Sequence, residues 1–424
     1  MARVSFITFG CRVNQYETEE AIHKARQDGH EVVEWGQPAD IQVVHTCSVT
    51  NAAVRDGRQA LRQALRLNPQ SRIIATGCAV RTEPEKLTPA GQSIELIEDL
   101  PAAVMLQAEE QAVEAGMQDS NPLNLSSRQT RVRALLKIHD GCYFSCAFCI
   151  VPQARPVESS KPVEDALEEA KAYVALGHRE IVLTGVRITG YRPEKLGRSG
   201  LVELIRRLGD VQGLDRVRLT SLYPSEVREE LLRAVAETPN ACPHLHLAIQ
   251  SGDDNTLKRM NRRYTASQIL EVVSMAKSII PDVSITSDII AGFPGETESE
   301  FDNTKKLVRE LGFSRAHVFT YSERPGTSAQ RLSEPVPSDI AKRRTKELIE
   351  IVNYTALQYR QRFVGKVESV IIEQQKRPGV VSGLIPHYIE LQAEGSEDLR
   401  GQNLQVQVTG LSRSGLKGRI LKQE

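Results

Sequence analysis

The sequence predicts a multidomain α/β protein: an N-terminal open parallel α/β sheet, a central partial barrel of six βα repeats, and a small C-terminal antiparallel β-barrel. Three observations carry this. Strand-like and helix-like segments alternate through the N-terminal part, and a second alternating series begins at Ala134. From Val364 onward the chain changes to short strand-like runs broken by glycine and polar turns. The modules run 1–118, 134–362 and 363–424, with a polar linker at 119–133 that contains Asn121-Pro122 and Ser126-Ser127.

In the first module the apolar runs Val4 to Thr8, Ile41 to His45 and Arg72 to Thr76 read as strands. Glu17 to Asp28 and Asn51 to Leu67 read as the helices between them, and strands separated by helices imply a parallel sheet. In the second module the strands are Ala134 to Ile138, Glu180 to Thr184, Asp215 to Thr220, His244 to Ile249, Val283 to Ile289 and Ser314 to Thr320. The helices Val163 to Leu176, Pro224 to Thr238, Ala266 to Ile280 and Glu298 to Leu311 separate them. A long basic helix, Ser338 to Phe363, follows. The tail has strand candidates at Lys366 to Glu373, Tyr388 to Ala393, Leu404 to Leu411 and Gly418 to Lys422.

With 424 residues the chain exceeds one compact core. Its formal net charge is zero, so nucleic-acid contact has to come from local basic patches rather than a global field. No run approaches the roughly 18 to 20 apolar residues that a membrane helix needs, and no membrane partner is expected. Without a leader pattern at the N-terminus, the expected location is cytoplasmic. Seven cysteines are too few for a disulfide scaffold in a chain of this size.

The cysteine placement is informative. Cys11, Cys47 and Cys78 each follow an apolar strand, in Phe-Gly-Cys, His-Thr-Cys and Thr-Gly-Cys. The carboxyl ends of parallel strands share one edge, so these three thiols converge despite their separation in sequence. Cys142-Tyr-Phe-Ser-Cys146-Ala-Phe-Cys149 places three thiolates on one loop, a spacing that ligates three corners of a 4Fe–4S cluster and leaves one iron open. Structural zinc is the competing reading. It closes with four ligands and would need a fourth such as nearby His139. Cys242 stands outside both groups and reads as a packed, inert thiol.

The triplet spacing resembles the radical-SAM superfamily. The resemblance implies that S-adenosyl-L-methionine chelates the open iron and is cleaved reductively to a 5′-deoxyadenosyl radical, making Cys142, Cys146 and Cys149 the catalytic cluster ligands. It places Phe148 at the aromatic position that borders the adenine. Thr8-Phe-Gly-Cys-Arg-Val-Asn-Gln-Tyr-Glu-Thr-Glu19, Thr46-Cys-Ser-Val-Thr-Asn51 and Gly77-Cys-Ala79 are similar to the three N-terminal motifs of the methylthiotransferase family. Cys242-Pro-His-Leu-His-Leu, Gln250-Ser-Gly, Met260-Asn-Arg and Gly292-Phe-Pro-Gly-Glu-Thr297 resemble its central motifs. The tail resembles its small RNA-binding β module, of the TRAM type. The residues after Cys11 and Cys47 favour the branch that acts on N6-threonylcarbamoyladenosine of tRNA, over the isopentenyladenosine branch or the one that modifies a ribosomal-protein aspartate.

The resemblance implies a second 4Fe–4S cluster on Cys11, Cys47 and Cys78, handling sulfur. It also implies an electron donor such as flavodoxin or ferredoxin, a sulfur source, and the tRNA anticodon arm as substrate. Gly185, Gln250, Ser251 and Asp288, at or near barrel-strand ends, are the expected cofactor contacts. Arg55, Arg58 and Arg62 form a basic stripe at helical spacing, and Arg413, Lys417 and Arg419 lie in a tail without acids from 399 to 423. Both sets are candidate RNA contacts. The chain departs from the family at Gln153-Ala-Arg-Pro-Val-Glu-Ser-Ser-Lys161, where Pro156 replaces a glycine. It departs again at Arg187, usually asparagine, and at Ala248, usually proline.

Overall fold

A computed structural model describes residues 1–88, 93–98, 100, 132–194 and 196–421. Its chain forms two compact units. One comprises Met1–Gln129, Asp140–Glu158 and Ser322–Gln330; the other comprises Thr130–His139, Ser159–Tyr321 and Arg331–Glu424.

The first unit is built on an all-parallel sheet. Its strand order is Glu31–Val33, Arg3–Thr8, Ile41–Thr46, Arg72–Gly77 and Glu95–Leu96. Successive side chains of a strand face opposite ways, so Val43 and Ile74 pack with Ala21 and Ala25 of helix Arg12–Gln27. Val44, Ile73 and Ala75 pack instead with Ala60, Leu61 and Ala64 of helix Asn51–Leu67. Covered on both faces, Ile41–Thr46 is buried at every residue, hence its continuous apolar reading. Thr50 starts the second helix by accepting the Ala53 N–H at 3.2 Å. The strands Glu31–Val33 and Glu95–Leu96 are too short to show a period and are legible only from their pairing.

In the second unit six parallel strands follow one another in chain order: Arg133–Asp140, Glu180–Gly185, Arg216–Leu222 (interrupted at Thr220), His244–Gln250, Ser284–Ala291 and Arg315–Thr320. The third strand joins two sheets, its first half pairing with Glu180–Gly185 and its second with His244–Gln250. This is the expected partial barrel. Glu298–Leu311 forms over the expected span, capped by Thr297 with Glu300 reaching back to complete a capping box. The expected Pro224 to Thr238 helix instead divides into a turn at Pro224–Glu226 and a helix at Glu229–Glu237, because Val227 is extended. Two helices not expected from the sequence, Gly200–Gly209 and Asp254–Arg259, complete the unit's connections.

The tail closes into a five-stranded barrel in the order Val367–Arg377, Val380–Leu384, Glu390–Glu394, Leu416–Ile420, Asn403–Leu411. Every pairing is antiparallel except that of Glu390–Glu394 with Leu416–Ile420, which is parallel. The last strand thus begins two residues before the expected Gly418, and Lys422 lies outside the described residues, as do linker residues 119–131. The small barrel docks on the amino ends of the large barrel's strands. Arg216 donates to the carbonyls of Leu384 and Ser369, and Arg218 to that of Pro386. The Tyr388 ring stacks on His244 at 4.6 Å. Fully buried Glu180 balances this junction, its Oε1 2.6 Å from Arg218 Nε.

Candidate active site

Three adjacent strands of the first unit end in register, with Thr8 opposite His45 and Thr46 opposite Gly77. Cys11, Cys47 and Cys78 therefore leave the sheet from one edge, as expected from their strand contexts. Cys11 is the N-cap of helix Arg12–Gln27, and Cys78 opens helix Cys78–Thr82. Gly77 makes the turn before Cys78 with φ of 93°, and a Cβ there would meet His45 and the Thr46 carbonyl oxygen at 2.4 Å. A Cβ at Gly10 would lie 2.7 Å from the Cys47 sulfur, so that sulfur rests directly on bare backbone.

The thiols sense one another electrostatically. Burial pushes the Cys47 thiol up, as does the charge of Cys11. Burial pushes Cys78 up to about 12, with Cys11 and Cys47 adding to the effect. Two arginines oppose this: Arg155 acts on both thiols, and Arg324 on Cys47. Two buried thiols, Cys47 and Cys78, that resist ionisation alone, beside two cations, suit a metal that binds thiolate and displaces the protons.

The Cys142–Cys149 loop belongs to the same compact unit. The Cys149 N–H donates to the Cys146 carbonyl at 3.0 Å, forming the turn between these ligands. The Cys142 N–H donates to the Arg155 carbonyl at 3.3 Å, and the Tyr143 N–H to Glu158 Oε1 at 3.1 Å. From Ser322–Gln330, Ala329 donates to the Ala147 carbonyl at 2.7 Å, and the Gly326 carbonyl accepts from Gln153 at 2.8 Å. All three loop cysteines are half-buried, as is Phe148. Among the described residues no three Cys, His, Asp or Glu side chains already meet at ligating distance. The donors nevertheless fit iron–sulfur clusters: two sets of three cysteines, with cationic neighbours for an anionic centre.

Arginines were the residues that motif reading missed. Arg155 NH1 is 2.7 Å from Glu17 and 2.9 Å from both Asp140 oxygens, while NH2 reaches Glu17 at 2.7 Å and Asn14 at 3.1 Å. Asn14 in turn donates to the carbonyls of Phe9 and Thr46. Arg324, 1% exposed, pairs with equally buried Glu83 and donates to Asn51. The only cue in the sequence was an isolated arginine soon after Cys149; nothing local marked Arg324.

The second unit holds the other expected contacts. Gly185 ends its strand opposite His139, where a Cβ would lie 2.8 Å from the His139 carbonyl oxygen. His246, Ala248 and Gln250 alternate on the less buried face of their strand, as does Asp288 on the next. Asp288 Oδ2 is 3.2 Å from His246 Nε2, and Thr286 Oγ1 joins His246 Nδ1 to His244 Nε2. Gln250 has φ of 68°, a conformation unusual for a side-chain-bearing residue and typical of functional strand ends. Ser251 is fully buried and its hydroxyl serves Thr304 and the Asp253 N–H, a scaffolding arrangement. Arg187 is buried in an ion pair with Glu226 at 2.6 Å. Cys242 is buried and its thiol pushed up to about 11 by burial, as an inert thiol should be.

Of the basic residues, Arg55 and Arg62 are exposed on their helix and Arg58 is half-buried. Arg413, Lys417 and Arg419 are exposed on the small barrel, the last two alternating on one strand.

The chain matches the Radical SAM superfamily over residues 136–308 and the "Uncharacterized protein family UPF0004" over residues 3–98. It is 36% identical to the threonylcarbamoyladenosine tRNA methylthiotransferase MtaB of Thermotoga maritima, over 98% of this chain and 96% of that one. It is 33% identical to the protein of the same name from Bacillus subtilis, over 96% and 94%. Among solved structures, the radical S-adenosylmethionine methyltransferase TsrM from Kitasatospora setae, with tryptophan and a SAM analogue bound, superposes with a TM-score of 0.56. That match is 13% identical and covers 90% of this chain and 78% of that one, a likeness of fold. The edge of three strand-end cysteines, the three-cysteine loop and this full-length similarity together make the chain a member of the radical-SAM methylthiotransferase family.

Proposed function

We propose that this chain adds a methylthio group to C2 of N6-threonylcarbamoyladenosine beside the tRNA anticodon. The observation that carries the reading is that all six cluster-type cysteines, drawn from four distant segments, belong to one compact unit. The names of the curated relatives support the substrate. When bound, two 4Fe–4S clusters and S-adenosyl-L-methionine supply the radical, the methyl group and the sulfur.

The protein's own residues provide holding and positioning. Cys142, Cys146 and Cys149 would hold one cluster, and Cys11, Cys47 and Cys78 the other. Gly185 lets its strand end close against the His139 carbonyl, Gln250 presents its side chain at a strained strand end, and Asp288 orients His246. Phe148 offers an aromatic face beside Cys149. Arg413, Lys417 and Arg419 would meet phosphates of the anticodon arm, with Arg55, Arg58 and Arg62 as a second basic surface. Electrons come from a flavodoxin- or ferredoxin-type donor, the sulfur that passes through the second cluster comes ultimately from a separate source, and the setting is cytoplasmic. No helix among the described residues is long and apolar enough to cross a membrane.

The test is iron and sulfide content of anaerobically reconstituted protein, followed by mass spectrometry of tRNA nucleosides. About eight irons, falling to about four in a Cys142→Ala/Cys146→Ala/Cys149→Ala variant, is the expected result. The methylthio product should appear only with the intact chain. About four irons lost together in that variant, or zinc alone, would defeat the proposal. A product on isopentenyladenosine would move the chain to the sister branch.

A further inference from the structure

Arg155 links the two cysteine sets. Its carbonyl accepts the Cys142 N–H at 3.3 Å, and its guanidinium charge acts on the Cys47 and Cys78 thiols. The terminal nitrogens are occupied by Glu17, Asp140 and Asn14. The side chain is 10% exposed, so water screens these contacts little. Asn14, one of the residues that fix the fork, also accepts from the Cys11 thiol at 3.6 Å. Through it, the same network reaches the third ligand of the strand-edge set.

We infer that Arg155 is a positioning residue that joins the two cysteine sets, fixing the Cys142 end of the loop through its carbonyl and tuning the strand-edge cluster through its buried positive charge and through Asn14, which contacts Cys11. This rests on the proposed function, in which Cys11, Cys47 and Cys78 hold that cluster. Reduction adds negative charge to a cluster, and a buried cation held beside it stabilises the reduced form, raising the potential. The carboxylates of Glu17 and Asp140 act in the opposite direction while holding the fork in place. Their charge explains why a buried arginine is needed at all: it keeps the site from being an all-anionic pocket.

The experiment uses the full chain carrying Cys142→Ala, Cys146→Ala and Cys149→Ala, reconstituted anaerobically, so that only the strand-edge cluster remains. Its midpoint potential is read by electron paramagnetic resonance in a dithionite titration, and iron loss to a chelator is timed. Arg155→Gln should lower the potential and speed iron loss several-fold, and Arg155→Lys, which keeps the charge, should recover part of both. Glu17→Gln should raise the potential. Opposite signs at Arg155 and Glu17 report local electrostatics, since a merely loosened site would move both variants the same way. An unchanged potential and unchanged iron loss in Arg155→Gln would overturn the inference. Should Arg155→Gln not fold, a Glu17→Gln potential that stays or falls would overturn it equally. Absence of iron from the triple-cysteine variant itself would instead strike at the two-cluster reading.

Discussion

Replacing Glu180 by Gln tests the junction between the large and small barrels. Glu180 is fully buried, with Oε1 2.6 Å from Arg218 Nε and Oε2 3.6 Å from Arg216. Arg133 approaches at 3.9 Å. Gln keeps the shape but removes the charge, and its amide sets a donor among guanidinium donors. Breaking a buried pair by removing one partner costs about 3–5 kcal/mol. Arg218 retains the Pro386 carbonyl at 2.8 Å, which favours the lower end, about 3 kcal/mol or roughly a hundredfold in the unfolding equilibrium. Burial opposes ionisation of Glu180, but Arg218, Arg133 and Arg216 outweigh it and hold the carboxyl below its usual range. A lowered carboxylate contributes stability above its unfolded value that is lost as pH falls through the folded one, so the acid-side loss should shrink in Glu180→Gln. Urea melts followed by far-ultraviolet circular dichroism at pH 7 and pH 4 measure both effects. Glu164→Gln, which breaks the exposed pair with Arg207, is the control and should leave the midpoint unmoved. A Glu180→Gln midpoint equal to wild type would refute the assigned role of the buried charge.

Gly77→Ala should cost more than about 1 kcal/mol and reduce iron incorporation, because its left-handed turn and the 2.4 Å approach to His45 leave no space for a methyl group; thermal melting and iron content check this. Burial pushes His387 down to about 4. Its contribution is therefore full above pH 6.5 and lost as pH falls towards 4, and His387→Gln should flatten the stability–pH curve over that window in melts at stepped pH. Cys242 should resist alkylation in the native protein at pH 7, and Cys242→Ala should leave methylthiolation intact, as read by peptide and nucleoside mass spectrometry. Lys417→Glu with Arg419→Glu should weaken tRNA binding without changing iron content, and flatten its salt dependence by about one unit of log–log slope per lost phosphate contact.

The sequence by itself determined the periodic elements and the thiol chemistry. The strands Ile41–Thr46 and Arg72–Gly77, and the helix Glu298–Leu311, were legible because burial on one or both faces imposes a period that composition records. The cysteine groups were legible because metal ligation needs particular residues at particular distances from strand ends. Elements of two or three residues, such as Glu95–Leu96, were not, since pairing rather than pattern creates them. In the family-like motif Gly292–Thr297, Glu296 is buried against Arg344 and Thr297 caps a helix, roles that the sequence did not disclose. Only the tertiary structure set Arg155 among Glu17, Asp140 and Asn14, and Arg324 against Glu83. An arginine's partners lie wherever folding places a carboxylate, and these are up to 241 residues away in sequence. Local pattern records which face of an element is buried, but long-range charge pairing leaves no periodic trace, and that is the information folding adds.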